Sequence, residues 1–144
     1  MTRINSAIPV KYLTDEMLLA EHREIKRLPS VLSKAIKCNS INKIPNKFCL
    51  GTGHVKFFLN KMLFIFNRYK IIKNECELRK FNITDYSFNF LKIDGKYMND
   101  YIPTNDEYNI LNERIIERIN NSNKQYFHYY GKRISKIEAC LLIK

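Results

Sequence analysis

An apolar stripe recurring at helical spacing through Phe58, Met62, Ile65, Tyr69, Ile72 and Cys76 constrains this chain more than any other feature. Leu59 and Phe66 widen it. A face this broad does not suit a helix lying on a surface, so a helix from about His54 to Lys80 is expected at the centre of the fold. Two shorter helices fit around it. The first starts at Thr14, a good N-cap followed by Asp15 and Glu16, and runs to about Lys37 with a bend at Pro29. Its core stripe reads Leu18, Ile25, Leu28, Leu32 and Ile36. The other runs from about Asn105 to Ile119 and buries Tyr108, Leu111, Ile115 and Ile119. Residues 82 to 104 lack a period and contain Gly95 and Pro103, which indicates a long irregular connection. The expected architecture is all-α: one compact domain over residues 1–144, made of three helices with long irregular loops and little sheet.

Charge narrows the partners. Among 144 residues, Lys and Arg number 25 against 14 Asp and Glu, a net charge of +11. A surplus this large on a small surface favours a polyanion, with nucleic acid first and an acidic protein or anionic membrane surface second. The longest apolar run, Met62 to Phe66, is far too short to span a bilayer. The first residues, Met1-Thr2-Arg3-Ile4-Asn5-Ser6, lack the apolar run of a secretory signal, so an intracellular protein is expected. The lysine- and asparagine-rich composition fits an AT-rich genome such as that of a phage. Cys38, Cys49, Cys76 and Cys140 are far apart with no CxxC pair, and the three histidines are scattered. Free or buried thiols are expected, and no metal site.

Three segments could carry chemistry. Methionine is normally trimmed before a small residue, which would leave Thr2 at the start of the chain. A free α-amine has a pKa of about 7.7–8.0, and a neighbouring cation such as Arg3 lowers it further. Such an amine can attack an electrophilic sugar carbon and form an imine, although many proteins begin Met-Thr. The second segment is Ala20-Glu21-His22-Arg23-Glu24-Ile25-Lys26-Arg27. At about 100° per residue, Arg23 and Arg27 point away from the apolar stripe, Glu24 lies on its flank and Glu21 lies close to it. A carboxylate beside these arginines could move protons while the arginines grip phosphates; solvated ion pairs would use the same spacing. The third is the aromatic tail Tyr126-Phe127-His128-Tyr129-Tyr130 with Lys132 and Arg133 beside it. Tyr126, Tyr129 and Lys132 could contact nucleic acid, and core packing would use most of the rings equally well. Gly51-Thr52-Gly53 reads as a helix-start loop, and His54 as a capping or core histidine.

Together these segments resemble the pyrimidine-dimer DNA glycosylase family. The matching stretches are Met1 to Asn5, Leu19 to Glu24, Leu50 to Phe58, Asp100 to Pro103 and Tyr129 to Lys132, in the family's order. The resemblance implies an all-α fold, no metal or organic cofactor, and a monomer acting on double-stranded damaged DNA. It implies glycosylase and abasic-site lyase chemistry on cyclobutane pyrimidine dimers: the Thr2 amine forms the imine and Glu24 moves protons. It places DNA contacts on Arg3, Arg23, Arg27, Arg114 and Arg118. The same lyase acting on another damaged base, and a DNA-binding protein without catalysis, are the rival readings. This chain departs from the family pattern where Glu16-Met17 replace a Gln-His pair, Tyr126 a tryptophan and His128 a lysine. Glu16 falls on the face of Arg23 and Arg27, where its charge is expected to oppose phosphate binding.

Overall fold

The computed structural model describes residues 4–143. The expected central helix is present as α4, Met62–Leu78, and every residue of its stripe from Met62 to Cys76 is buried. It does not reach back to His54 unbroken. A separate turn of helix, α3 (His54–Phe57), precedes it, and Lys61 lies between them in a non-helical conformation. The Lys61 ammonium donates to the Phe57 carbonyl and to Asn60 Oδ1, both at 2.9 Å, and lies 3.9 Å from the Phe57 ring centroid. Those contacts satisfy the end of α3. The break is silent in the sequence because the apolar period continues through it.

The expected first helix is likewise two: α1 (Asp15–Ile25) and α2 (Leu28–Lys37), with Pro29 in the first turn of α2, where its missing N–H costs nothing. Thr14 caps α1 by accepting from the Met17 N–H. The break resets the helical phase, so Ala35 faces inward and Ile36 is 41% exposed, against the single-stripe expectation. The third expected helix is α5 (Asn105–Asn121), capped by Thr104. The connection before it is irregular apart from two 3-10 turns, Ser87–Lys92 and Gly95–Tyr97.

The tail departs most from expectation. Tyr126–Tyr129 (β1) and Lys132–Ser135 (β2) form an antiparallel hairpin with Phe127 opposite Ile134, followed by α6 (Lys136–Leu142). The described residues thus form six α-helices and one small sheet, not three helices alone. Tyr130 and Gly131 both have positive φ, 52° and 78°, as a two-residue primed turn requires. A tyrosine there is strained, and contacts from the core hold it. Tyr130 N–H and Gly131 N–H both donate to the Asp15 carboxylate, at 3.0 and 2.9 Å, while the Tyr130 hydroxyl donates to Glu75 at 2.6 Å.

Arg79 joins these parts. Its side chain is fully buried and pairs with Glu75 at 2.9 Å and Asp15 at 3.0 Å. It also donates to the carbonyls of Leu13 and Val10. Burial works against its charge, but hydrogen bonds to Glu75 and Asp15 outweigh that and hold its pKa above the ordinary arginine value. Arg79→Met would leave two buried carboxylates without their cation. We expect urea unfolding to show a loss of about 3–5 kcal/mol, and a loss below ~1 kcal/mol would mean the network is not what secures the hairpin.

Candidate active site

The chain's first described residues pass through the interior, with Ile4 and Ile8 fully buried. Four helices hold them. His54 of α3 accepts the Ile4 N–H at Nε2, at 2.8 Å. Asn5 Nδ2 donates to Glu21 of α1 at 3.1 Å, and the Ser6 hydroxyl donates to Glu107 of α5 at 3.1 Å. Arg68 of α4 donates to the Ile8 carbonyl at 2.7 Å. Burial raises the Glu107 pKa above the usual carboxylate range, opposed by its hydrogen bond from Ser6.

The same arrangement separates the two rival carboxylates of α1. Glu21 has no exposed side-chain surface and accepts two hydrogen bonds from Arg68, at 2.8 and 3.0 Å, besides that from Asn5. It is a structural anchor. Glu24, one turn on, keeps 24% of its side-chain surface and pairs at 2.9 Å with Arg27, which is 58% exposed. An exposed pair of this kind contributes about 0–1 kcal/mol, so Arg27 does not lock Glu24 away from a reactant.

Glu24 lies on a cavity of about 230 Å³ between α1, α5, the N-terminal segment and the hairpin. Its apolar wall is Met17, Ala20, Ile115, Ile119 and Phe127. Its polar groups include Asn5, Glu24, Arg118 and Lys124. Asn5 Oδ1 is buried with no hydrogen-bond partner among the described residues. Because Nδ2 is committed to a carboxylate that can only accept, the free atom is the acceptor oxygen. On its other side Glu24 borders a second cavity, of about 460 Å³, bounded by Arg27, Val31, Gly53 and Lys56. The Gly51-Thr52-Gly53 loop indeed starts a helix: Gly53 has φ +94°, and a Cβ there would lie 3.3 Å from Pro45.

The expected DNA-facing residues divide. Arg23, Arg27 and Arg118 are exposed, and Arg27 and Arg118 line the cavities on either side of Glu24. Arg114 is a turn away from Arg118, 3.8 Å from Glu117, and is not among the residues lining either cavity. Tyr126 is exposed, with the Arg133 guanidinium 4.2 Å from its ring centroid. Tyr129 instead packs toward the core, donating to the Lys11 carbonyl at 2.7 Å and lying over Arg79. Lys132 is exposed at the start of β2. Thr2 and Arg3 lie outside the described residues.

Two departures from the family pattern meet. The Glu16 carboxylate accepts from the His128 backbone N–H at 3.0 Å and contacts His128 Nδ1 at 2.9 Å. Its charge is therefore engaged by the hairpin and not simply turned to solvent. Met17, the other replacement, forms part of the apolar cavity wall. Sequence reasoning missed Asn5, Lys124 and Phe127 as wall residues. Asn5 lay within a matching stretch, but nothing local distinguished it, and Lys124 reaches the cavity only because α5 ends where it does.

A family model described as pyrimidine dimer DNA glycosylase matches residues 1–88, more than half of the chain. The match contains Glu21, Glu24, His54 and Arg68, and ends before α5 and the hairpin.

Proposed function

The chain belongs to the pyrimidine dimer DNA glycosylase family, and from that membership we propose that it is a DNA-repair glycosylase and abasic-site lyase acting on cyclobutane pyrimidine dimers through the Thr2 α-amine. The observation that carries the proposal is the placement of Glu24. Of the rival carboxylates Glu21 and Glu24 it is the accessible one, on a largely apolar cavity whose wall also includes Asn5, three residues from Thr2.

The amine attacks C1′ of the damaged nucleotide. The N–C1′ bond forms as the glycosidic bond breaks, and the base leaves with the bonding pair. Loss of the amine proton and opening of C1′–O4′, with a proton delivered to O4′, give the imine. The imine acidifies C2′. Removal of a C2′ proton by the Glu24 carboxylate expels the 3′ phosphate by β-elimination, and water then releases Thr2. Asn5, whose buried Oδ1 has no partner among the described residues, stands on the same wall. Arg23, Arg27, Arg118 and Lys124 supply cations for the phosphates around the cavity. The second cavity beside Glu24 offers space for a nucleotide turned out of the stack, at a cost of a few kcal/mol that phosphate contacts offset.

Borohydride reduction during incubation with abasic-site duplex tests the chemistry, with mass spectrometry locating the adduct on Thr2. Correctly processed protein that yields no adduct defeats the enzyme reading and leaves a DNA-binding protein. Nicking of ultraviolet-irradiated plasmid, compared with plasmids carrying other base lesions, decides which base is released.

A further inference from the structure

Resting on the reading that the Thr2 amine is the nucleophile, we propose that His54 is a positioning residue that fixes where this amine meets the cavity of Glu24. His54 is 1% exposed and wedged edge-on against Phe48 and Phe58, with ring centroids 5.5 and 5.6 Å away. Both ring nitrogens are committed. The Cys49 carbonyl, 2.9 Å from Nδ1, can only accept, so Nδ1 carries the hydrogen. The Ile4 N–H, 2.8 Å from Nε2, can only donate, so Nε2 is the bare nitrogen. The ring is thus a rigid spacer between the loop before α3 and the backbone of residue 4.

That backbone atom is close to the chemistry. Two residues of chain span at most about 7 Å, so Thr2 is tethered within that distance of the point His54 holds. Asn5, next along, lines the same cavity as Glu24. His54 acts through the Ile4 backbone that it holds. It sets the approach, and a misplacement of about 1 Å in such a geometry can cost on the order of 100-fold in rate.

Two amide variants separate this role from simple core packing. Glutamine places its oxygen near the position of Nε2 and can accept the Ile4 N–H, whereas asparagine reaches the Cys49 carbonyl but stops short of Ile4. Three measurements apply to each: amide-exchange protection of Ile4 by NMR, single-turnover borohydride trapping on abasic-site duplex, and binding to duplex with a tetrahydrofuran abasic analogue. With His54→Asn we expect Ile4 to lose protection and trapping to slow by about 30-fold or more, with analogue binding within about twofold. His54→Gln should keep Ile4 protected and trap within about fivefold of the wild-type rate.

Equal behaviour of the two variants overturns the proposal. So do trapping and binding that fall by the same factor, and loss of Ile4 protection with unchanged trapping. Loss of cooperative melting in both variants assigns His54 to the core alone and overturns it as well. Wild-type protein that traps nothing defeats the Thr2 reading, and the amine role with it. Ile4 protection then still reports whether His54 holds the segment.

Discussion

Protein that retains Met1 ahead of Thr2, or carries an N-terminal tag, is expected to lose borohydride trapping on abasic-site DNA completely while still binding it. The added residue turns the Thr2 nitrogen into an amide, whose lone pair is delocalised into the carbonyl and no longer nucleophilic. A methionine amine in the first position does not replace it, because it lies a residue further from the points at which His54, Glu21 and Glu107 hold Ile4, Asn5 and Ser6. Binding survives because Arg23, Arg27, Arg118 and Lys124 do not depend on the terminus for their positions. Full trapping by a protein shown to retain Met1 would move the nucleophile elsewhere, with a lysine amine the first place to look.

Glu24→Gln is expected to slow strand cleavage by about 10²–10⁴-fold, the usual contribution of a positioned acid–base group. The glutamine is nearly isosteric and still accepts from Arg27, so α1 and the cavity keep their shape. Affinity for an uncleavable abasic duplex should hold or rise slightly, since one negative charge leaves a surface that carries Arg23, Arg27 and Arg118. Gel assays of single-turnover cleavage beside fluorescence binding measure both. Full activity in this variant would remove Glu24 from the mechanism. Glu21→Gln makes the contrast: it weakens a fully buried pair with Arg68, so its first effect should be on unfolding.

Much of this was readable from residue order. The stripe from Met62 to Cys76 identified the central helix, Thr14 and the acids after it marked the start of α1, and the charge surplus pointed to a polyanion. The limits of α5 also agree with expectation to within two residues. These signals are local, with a fixed period or an immediate neighbour. The break before Met62 was not legible because apolar residues keep helical spacing across it, and the one at Lys26-Arg27 showed only as the bend expected at Pro29. The hairpin was not legible because its turn puts a tyrosine at positive φ, a choice only Asp15 and Glu75 make tolerable. Those carboxylates lie 115 and 55 residues away in the chain.

The carboxylate pair on α1 shows the same division. By itself the sequence determined that Glu21 and Glu24 share a helix with Arg23 and Arg27, with Glu21 nearer the apolar side, because a 3.6-residue period follows from backbone geometry alone. Which carboxylate is spent on the fold was decided by Arg68, 47 residues away, and by Asn5, 16 residues before Glu21. A buried charge must find a partner, and which partner is within reach depends on how α4 and the N-terminal segment pack against α1. That packing leaves Glu24 accessible on the cavity wall. It also leaves His54, which looks like a core residue in the sequence, holding the backbone two residues from Thr2.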